Sequence, residues 1–272
     1  MSVPPQATPR PVIVKLGGSL VTRKREVEKL RPKVLARLGR ELASATGVPL
    51  VVLHGAGSFG HPGASRFGLA RPPDRGVPTA RRARGAAIVS AEVRRLHLAV
   101  LRALVAAGAS PFSVPMANLA RNREGSVASV DAGPIQDALE RGAMPVSFGD
   151  VVPDDTWGFS ILSADTIAAE LVPILRPSRV VFATDVLGIL TTTAGGRRTV
   201  IEELDDASIA GLSDGARVRD VTGGIRQKAA TMRAIARAGV DTVLISGLTD
   251  GALARAIRGE SVYGSWAHAR PG

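Results

Sequence analysis

The chain has 272 residues, no cysteine and a formal net charge of +11. It is long enough to bury a sizeable core, and the lack of thiols excludes disulfides and thiolate metal centres and fits a reducing compartment. The basic residues are spread along the chain and aromatics make up only 3%, so no base-stacking platform is in view and no nucleic-acid partner is expected. The opening "MSVPPQATPR" has no apolar h-region, and no window approaches about 18 uninterrupted apolar residues, so neither a signal peptide nor a membrane span is expected and a cytoplasmic protein is.

Strand and helix signals alternate along the chain. "PVIVKLG" is a β-branched run ended by Gly17 and Gly18, followed by a helical pattern from Lys29 to Ala45 and the strand "VPLVVLHG". A loop, "GAGSFGHPG", comes next. The stretch from Arg84 to Gly108 carries apolar residues at helical spacing with a glycine stop. "PFSVPM" reads as a strand, "GPIQDALERG" as a helix and "MPVSFGDVV" as one strand. The second half continues with helix "SADTIAAELVPIL", strand "RVVFATDV", helix "GGIRQKAATMRAIARAG", strand "DTVLISG" and the short helix "DGALARAI". "ARPPDRGVPTARRARG" and "TTTAGGRRTVIEE" read as mobile loops. This order predicts a three-layer α/β/α sandwich with a central, mostly parallel sheet, and ligands bound in loops beyond the strand carboxyl ends. We expect one domain over residues 1–272, with an acceptor-binding lobe over 1–160 and a nucleotide-binding lobe over 161–272.

Gly55, Gly57 and Gly60 spell G-x-G-x-x-G after an apolar strand, which raises the possibility of a dinucleotide loop in an oxidoreductase. That fingerprint needs an acid about 20 residues on, and Asp74 sits among prolines, where a loop is expected. The lysines point elsewhere. Lysine occurs only at positions 15, 24, 29, 33 and 228, every other cation being arginine. Lys15 precedes Gly17, Gly18 and Ser19, Lys24 follows, and Lys228 closes "DVTGGIRQK" with its Asp220, Thr222 and Gly224. Compact ammonium charges beside glycine-rich backbone suit a phosphoryl group in transfer. "ATDVLG" adds Thr184 and Asp185 at another strand end. No Walker A pattern is present.

"KLGGS", "TRK", "HGAGSFGH", "PVSFGDVV", "SADT", "TDVLG" and "DVTGGIRQK", in this order, resemble the amino acid kinase superfamily, and within it the isopentenyl phosphate kinases most. The histidine of "GSFGH" carries that distinction, being shared with the related fosfomycin kinases. The resemblance implies ATP and Mg2+, a small phosphate monoester as acceptor, and a homodimer. It implies catalytic roles for Lys15, Lys24, His61 and Asp165. The acceptor would lie against Ala56, Gly57, His61, Gly149 and Asp150, and the nucleotide against Lys15, Gly17, Gly18, Ser19, Gly57, Thr184, Asp185, Gly224 and Lys228. His61 would hydrogen-bond the acceptor phosphate, and Asp165 would organise the lysines.

Three departures from the family's motifs stand out. Ala56 replaces a glycine, which requires negative φ there. Ala164 and Thr166 replace a glycine and an acid, and Leu187 replaces a second acid. An isoprenoid tail needs an apolar pocket, for which Phe67, Ile88, Val93 and "PFSVPMANL" are the candidates. His54, His97 and His268 are read as structural.

Overall fold

The computed structural model describes residues 9–23, 26–74, 79–192, 196–212 and 224–269. Lys24, Asp220 and Thr222 lie outside the described residues. The strands are β1 (Val12–Leu16), β2 (Leu50–His54), β3 (Pro111–Ser113), β4 (Ala120–Arg123), β5 (Ser126–Val130), β6 (Met144–Phe148), β7 (Asp150–Asp154), β8 (Gly158–Leu162), β9 (Arg179–Thr184), β10 (Leu190–Thr192), β11 (Arg198–Val200), β12 (Thr242–Ser246) and β13 (Gly264–Ala267). The helices are α1 (Gly18–Val21), α2 (Pro32–Ala43), α3 (Gly57–Arg66), α4 (Thr79–Ala106), α5 (Gly133–Glu140), α6 (Ala164–Leu175), α7 (Asp206–Ala210), α8 (Gly224–Arg237) and α9 (Ala252–Arg258).

The main sheet runs β13-β12-β9-β1-β2-β6-β3. It is parallel except for β13, which returns antiparallel along β12. Strand alternation sends the side chains of β1 to opposite faces. Val12, Val14 and Leu16 join one core with Leu35, Leu38 and Leu42 of α2 and Leu96, Val100 and Leu104 of α4. Ile13 joins the other, with Ile167 and Leu171 of α6 and Met232 and Ile235 of α8. Each leucine so buried contributes about 1.5–3 kcal/mol relative to exposure. This is the expected three-layer sandwich. Lys15 points to the same face as Ile13, so β1 delivers a lysine to the side where α6 and α8 begin.

Several local expectations are corrected. Only the first residues of "GAGSFGHPG" form a loop: from Gly57 onward the segment is helix α3. Pro62 lies inside that helix and has no N–H to give. The Ser58 carbonyl, four residues back, accepts from Glu28 N–H at 3.2 Å instead, which ties the 26–30 segment to α3. Helix α2 starts at Pro32, at the first turn where proline is tolerated, and α4 starts at Thr79, inside a stretch expected to be loop. The second expected loop contributes β10 and β11, which pair antiparallel.

"MPVSFGDVV" is two strands. Gly149 donates its N–H to the His54 carbonyl at 2.9 Å, and the chain then leaves the main sheet for a second one, ordered β5-β4-β7-β8. That sheet is held at its turn by Asp154, whose carboxylate accepts from the N–H groups of Glu124, Gly125, Thr156 and Trp157. Its strands are only four or five residues long, and the polar make-up of β4 (ARNR) and β5 (SVASV) hides them in the sequence.

Candidate active site

Register puts the loops of the site on one level. Leu16 of β1 pairs with His54 of β2 and Ala183 of β9, and His54 pairs with Phe148 of β6. The segments that follow, 17–19, 55–57, 149–150 and 184–186, therefore leave the sheet side by side at its carboxyl end. The first two touch backbone to backbone. A Cβ on Gly18 would lie 2.4 Å from Gly57 N, and one on Gly57, whose φ is +51°, would lie 2.3 Å from Thr22 Oγ1. These glycines are required first for the close approach of two loops. Ala56 has φ −70°, so its methyl is accommodated without strain.

A cavity of about 360 Å³ opens over these loops. At its centre the Asp165 carboxylate, in the first turn of α6, takes Lys15 Nζ at 2.7 Å on Oδ1 and Lys228 Nζ on Oδ2. The Lys15 contact is a charge pairing rather than a well-directed hydrogen bond. Burial would raise Asp165, but the two ammonium groups hold it well below the usual carboxylate range. Burial, with repulsion from Lys15, pushes Lys228 down to about 8; its ammonium also lies 5.6 Å from the Phe182 ring centroid. Two cations on one buried anion leave a local excess of positive charge. Helices α1, α3, α6 and α8 all direct residues of their first two turns, Ser19, Gly57, Asp165 and Lys228 among them, into the cavity wall. Positive helix ends add to the attraction for an anion.

On one side of this cluster, Ser19 Oγ donates to Asp185 Oδ1 at 2.6 Å and Thr184 Oγ1 to the same oxygen at 3.3 Å, with Leu190 and Arg198 of the β10–β11 hairpin in the wall. On the other, α3, α4 and β8 meet. His61 lines the cavity there, and beyond the polar loops the wall is Pro62, Ala64, Val89, Val93 and Ile161. Asp150 is buried, paired with Arg94 at 3.2 Å and accepting from the N–H groups of Val151 and Ala117. Burial nevertheless raises its pKa, outweighing Arg94 and those bonds.

Every expected site residue that is described lines this one cavity: Lys15, Gly17, Gly18, Ser19, Ala56, Gly57, His61, Gly149, Asp150, Asp165, Thr184, Asp185, Gly224 and Lys228. Val93 is in the wall as expected. Phe67 instead packs over Gly85, and Met116 is in the core behind α6. Val89, one helical turn before Val93, follows from the same periodicity; Ile161 does not, because the five-residue strand β8 (GFSIL) carries no clear alternation. Asp74 pairs with Arg71 on the surface at 2.6 Å and does not serve a dinucleotide loop. Thr166, which replaces an acid, caps α6 with Ser163 through its N–H at 3.0 Å, and Leu187 is half exposed.

Residues 10–246 match the Amino acid kinase family. The chain is 34% identical over 262 residues to the isopentenyl phosphate kinase of Methanothermobacter thermautotrophicus, spanning 93% of this chain and 97% of that one. It is 29% identical to the isopentenyl phosphate kinase of Arabidopsis thaliana over 86% of both chains. Its fold superposes on an isopentenyl phosphate kinase crystal structure with a TM-score of 0.81 at 30% identity, covering 94% of this chain and 99% of the other. A product complex of the Thermoplasma acidophilum isopentenyl phosphate kinase gives 0.76 at 28% identity, over 95% and 100%. The chain belongs to the amino acid kinase family, on its isopentenyl phosphate kinase branch, and is a kinase.

Proposed function

We propose that this kinase transfers the γ-phosphoryl group of Mg·ATP to isopentenyl phosphate, giving isopentenyl diphosphate and ADP. An oxygen of the acceptor phosphate attacks the γ-phosphorus as the bond to the β-phosphate oxygen breaks. The observation that carries this reading is one cavity with a lysine–aspartate–lysine cluster between a hydroxyl-lined side and an apolar end of Val89, Val93 and Ile161. The acceptor is already an anion and needs no general base. The work left to the protein is to bring two anions together and follow the charge between them. Lys15 and Lys228 meet that need, His61 and the Ala56–Gly57 loop hold the acceptor phosphate, and Gly149 and Asp150 shape that side. Asp165 keeps the lysines aimed. Lys24 completes the reading as a second catalytic lysine. Gly17, Gly18, Ser19, Thr184, Asp185 and Gly224 face the nucleotide.

Magnesium bound with the nucleotide would supply charge neutralisation on its phosphates. Asp185, on the cavity wall, is the carboxylate that would help hold the ion, the rest of its shell coming from phosphate oxygens and water. A homodimer and a cytoplasmic location belong to this reading, supported by family membership and by the cysteine-free sequence.

An ADP-release assay with isopentenyl phosphate and with fosfomycin tests the acceptor. Turnover of the first is expected; turnover of fosfomycin alone would sink the isoprenoid reading. The same assay gives a pH signature. Lys228 carries its charge below about pH 8 and loses it above, so kcat/KM for ATP should fall on an alkaline limb near that value, since this parameter reports the free enzyme. Lys228→Arg, charged throughout, should abolish the limb whatever its effect on rate.

A further inference from the structure

Beneath the 55–57 loop lies a polar chain that the reaction described above leaves unused. His54, the last residue of β2, and His97, on α4, are both buried. His54 Nδ1 lies 3.1 Å from the Gly55 carbonyl oxygen, His54 Nε2 lies 3.1 Å from His97 Nδ1, and His97 Nε2 lies 2.8 Å from Ser113 Oγ. Phe148 packs against both rings at 5.4 and 4.4 Å between centroids. Burial lowers His54 to about 3 and His97 to about 4, each pushed further by a neighbouring charge or ring. Near pH 7 both rings are neutral, with one donor and one acceptor nitrogen each.

This fixes the protons. A carbonyl oxygen only accepts, so His54 carries its proton on Nδ1 and accepts on Nε2. His97 must then carry its proton on Nδ1, and its Nε2 accepts the Ser113 hydroxyl. The chain of donors runs one way, from Ser113 at the edge strand β3 to the backbone of the loop.

The Gly55 carbonyl belongs to the peptide that joins Gly55 to Ala56. In a trans peptide the C=O and N–H point in opposite directions, and the described residues contain no cis bond. With the oxygen turned to the buried His54 ring, the Ala56 N–H is turned the other way, and Ala56 lines the cavity. Among the described residues this N–H has no partner. Glycine on one side of a peptide makes its rotation inexpensive, so the direction of this donor has to be held by something.

We propose that His54 is a positioning residue for phosphoryl transfer: it locks the Gly55–Ala56 peptide with the Ala56 N–H facing the phosphate ligand, and His97 with Ser113 holds the tautomer that lets it do so. The proposal rests on the kinase reading of the cavity, and one arm of its test does not.

That arm is the tautomer itself. Long-range ¹H–¹⁵N spectra of the labelled wild-type protein should show both rings protonated on Nδ1, with no titration between about pH 5 and 8. A His54 protonated on Nε2 overturns the proposal. The kinetic arm compares two variants. His54→Leu keeps an apolar ring-sized side chain without a donor and should lower kcat by about 10- to 100-fold at little change in KM for ATP. His54→Asn places an amide donor near the Nδ1 position and should recover kcat to within about threefold of wild type. Unchanged kcat in His54→Leu, or equal losses in both variants, overturns the proposal. Should His54→Leu fail to fold, the wild-type tautomer decides. A wild-type enzyme that phosphorylates neither acceptor defeats the functional reading and leaves the tautomer result standing.

Discussion

His61→Ala is expected to lower kcat for isopentenyl phosphate by about 10²–10³, the usual loss when one preorganised donor to a reacting oxyanion is removed. Helix α3 places this side chain on the cavity wall beside the Ala56–Gly57 loop and the apolar end. An acceptor phosphate seated there approaches a nucleotide that is itself strongly anionic. A donor on the acceptor side offsets part of that repulsion and aligns the attacking oxygen. His61 is only partly buried, at the cavity wall, so the thermal midpoint should stay close to wild type. His61→Gln, which keeps a donor, should retain more activity than the alanine variant. Near-normal turnover by His61→Ala would refute the role, and loss of folding would show the residue to be structural instead.

The second large effect is expected from Asp165→Asn, which keeps the shape of the side chain and removes its charge. Lys15 and Lys228 would then face each other in a buried setting with no anion between them. Breaking a buried ion pair by removing one partner costs about 3–5 kcal/mol, so a clear fall in denaturant midpoint is expected. The lysines would also lose the group that aims them, and kcat should fall by about 10² or more. The pH dependence has a definite sign. A carboxylate depressed in the folded state contributes stability that is fully present above its unfolded value, about 3.9, and is lost as pH falls through the folded one. Wild type should therefore lose more stability than Asp165→Asn on acidification below about pH 4. For Lys228 the loss of the Asp165 anion lowers the pKa further, so the alkaline limb of kcat/KM for ATP should move to lower pH. Equal acid sensitivity in the two proteins, with equal kcat, would remove Asp165 from the centre of the site.

Much of this was legible in the sequence because the signals were local. The β-branched runs at residues 12–16, 50–54 and 179–184 are legible as strands from local composition, and their alternation with helical patterns makes them parallel. The scarcity of lysine singles out Lys15 and Lys228 from the arginine background of the sequence. Motif order was enough to gather the loops of one cavity, since in an open α/β sheet the chemistry collects at the strand carboxyl ends.

Other features depended on contacts between segments far apart in the chain. The small sheet is not legible because its strands are short and partly polar, and because β6 and β7, which read as one run, are divided at Gly149 between two sheets. Gly18 and Gly57 looked like phosphate-nest glycines, yet the sharper demand on them is that two backbones pass within contact distance. His54 and His97 read as bland core histidines; only their placement, ring to ring between a surface serine and the Gly55 carbonyl, orders their protons. The sequence by itself determined the residue types, the order of the loops and the family, because those are written in spacing and composition. Tertiary structure alone decided which groups share charge and which way a backbone donor points, because both depend on register and packing between elements that local pattern does not encode.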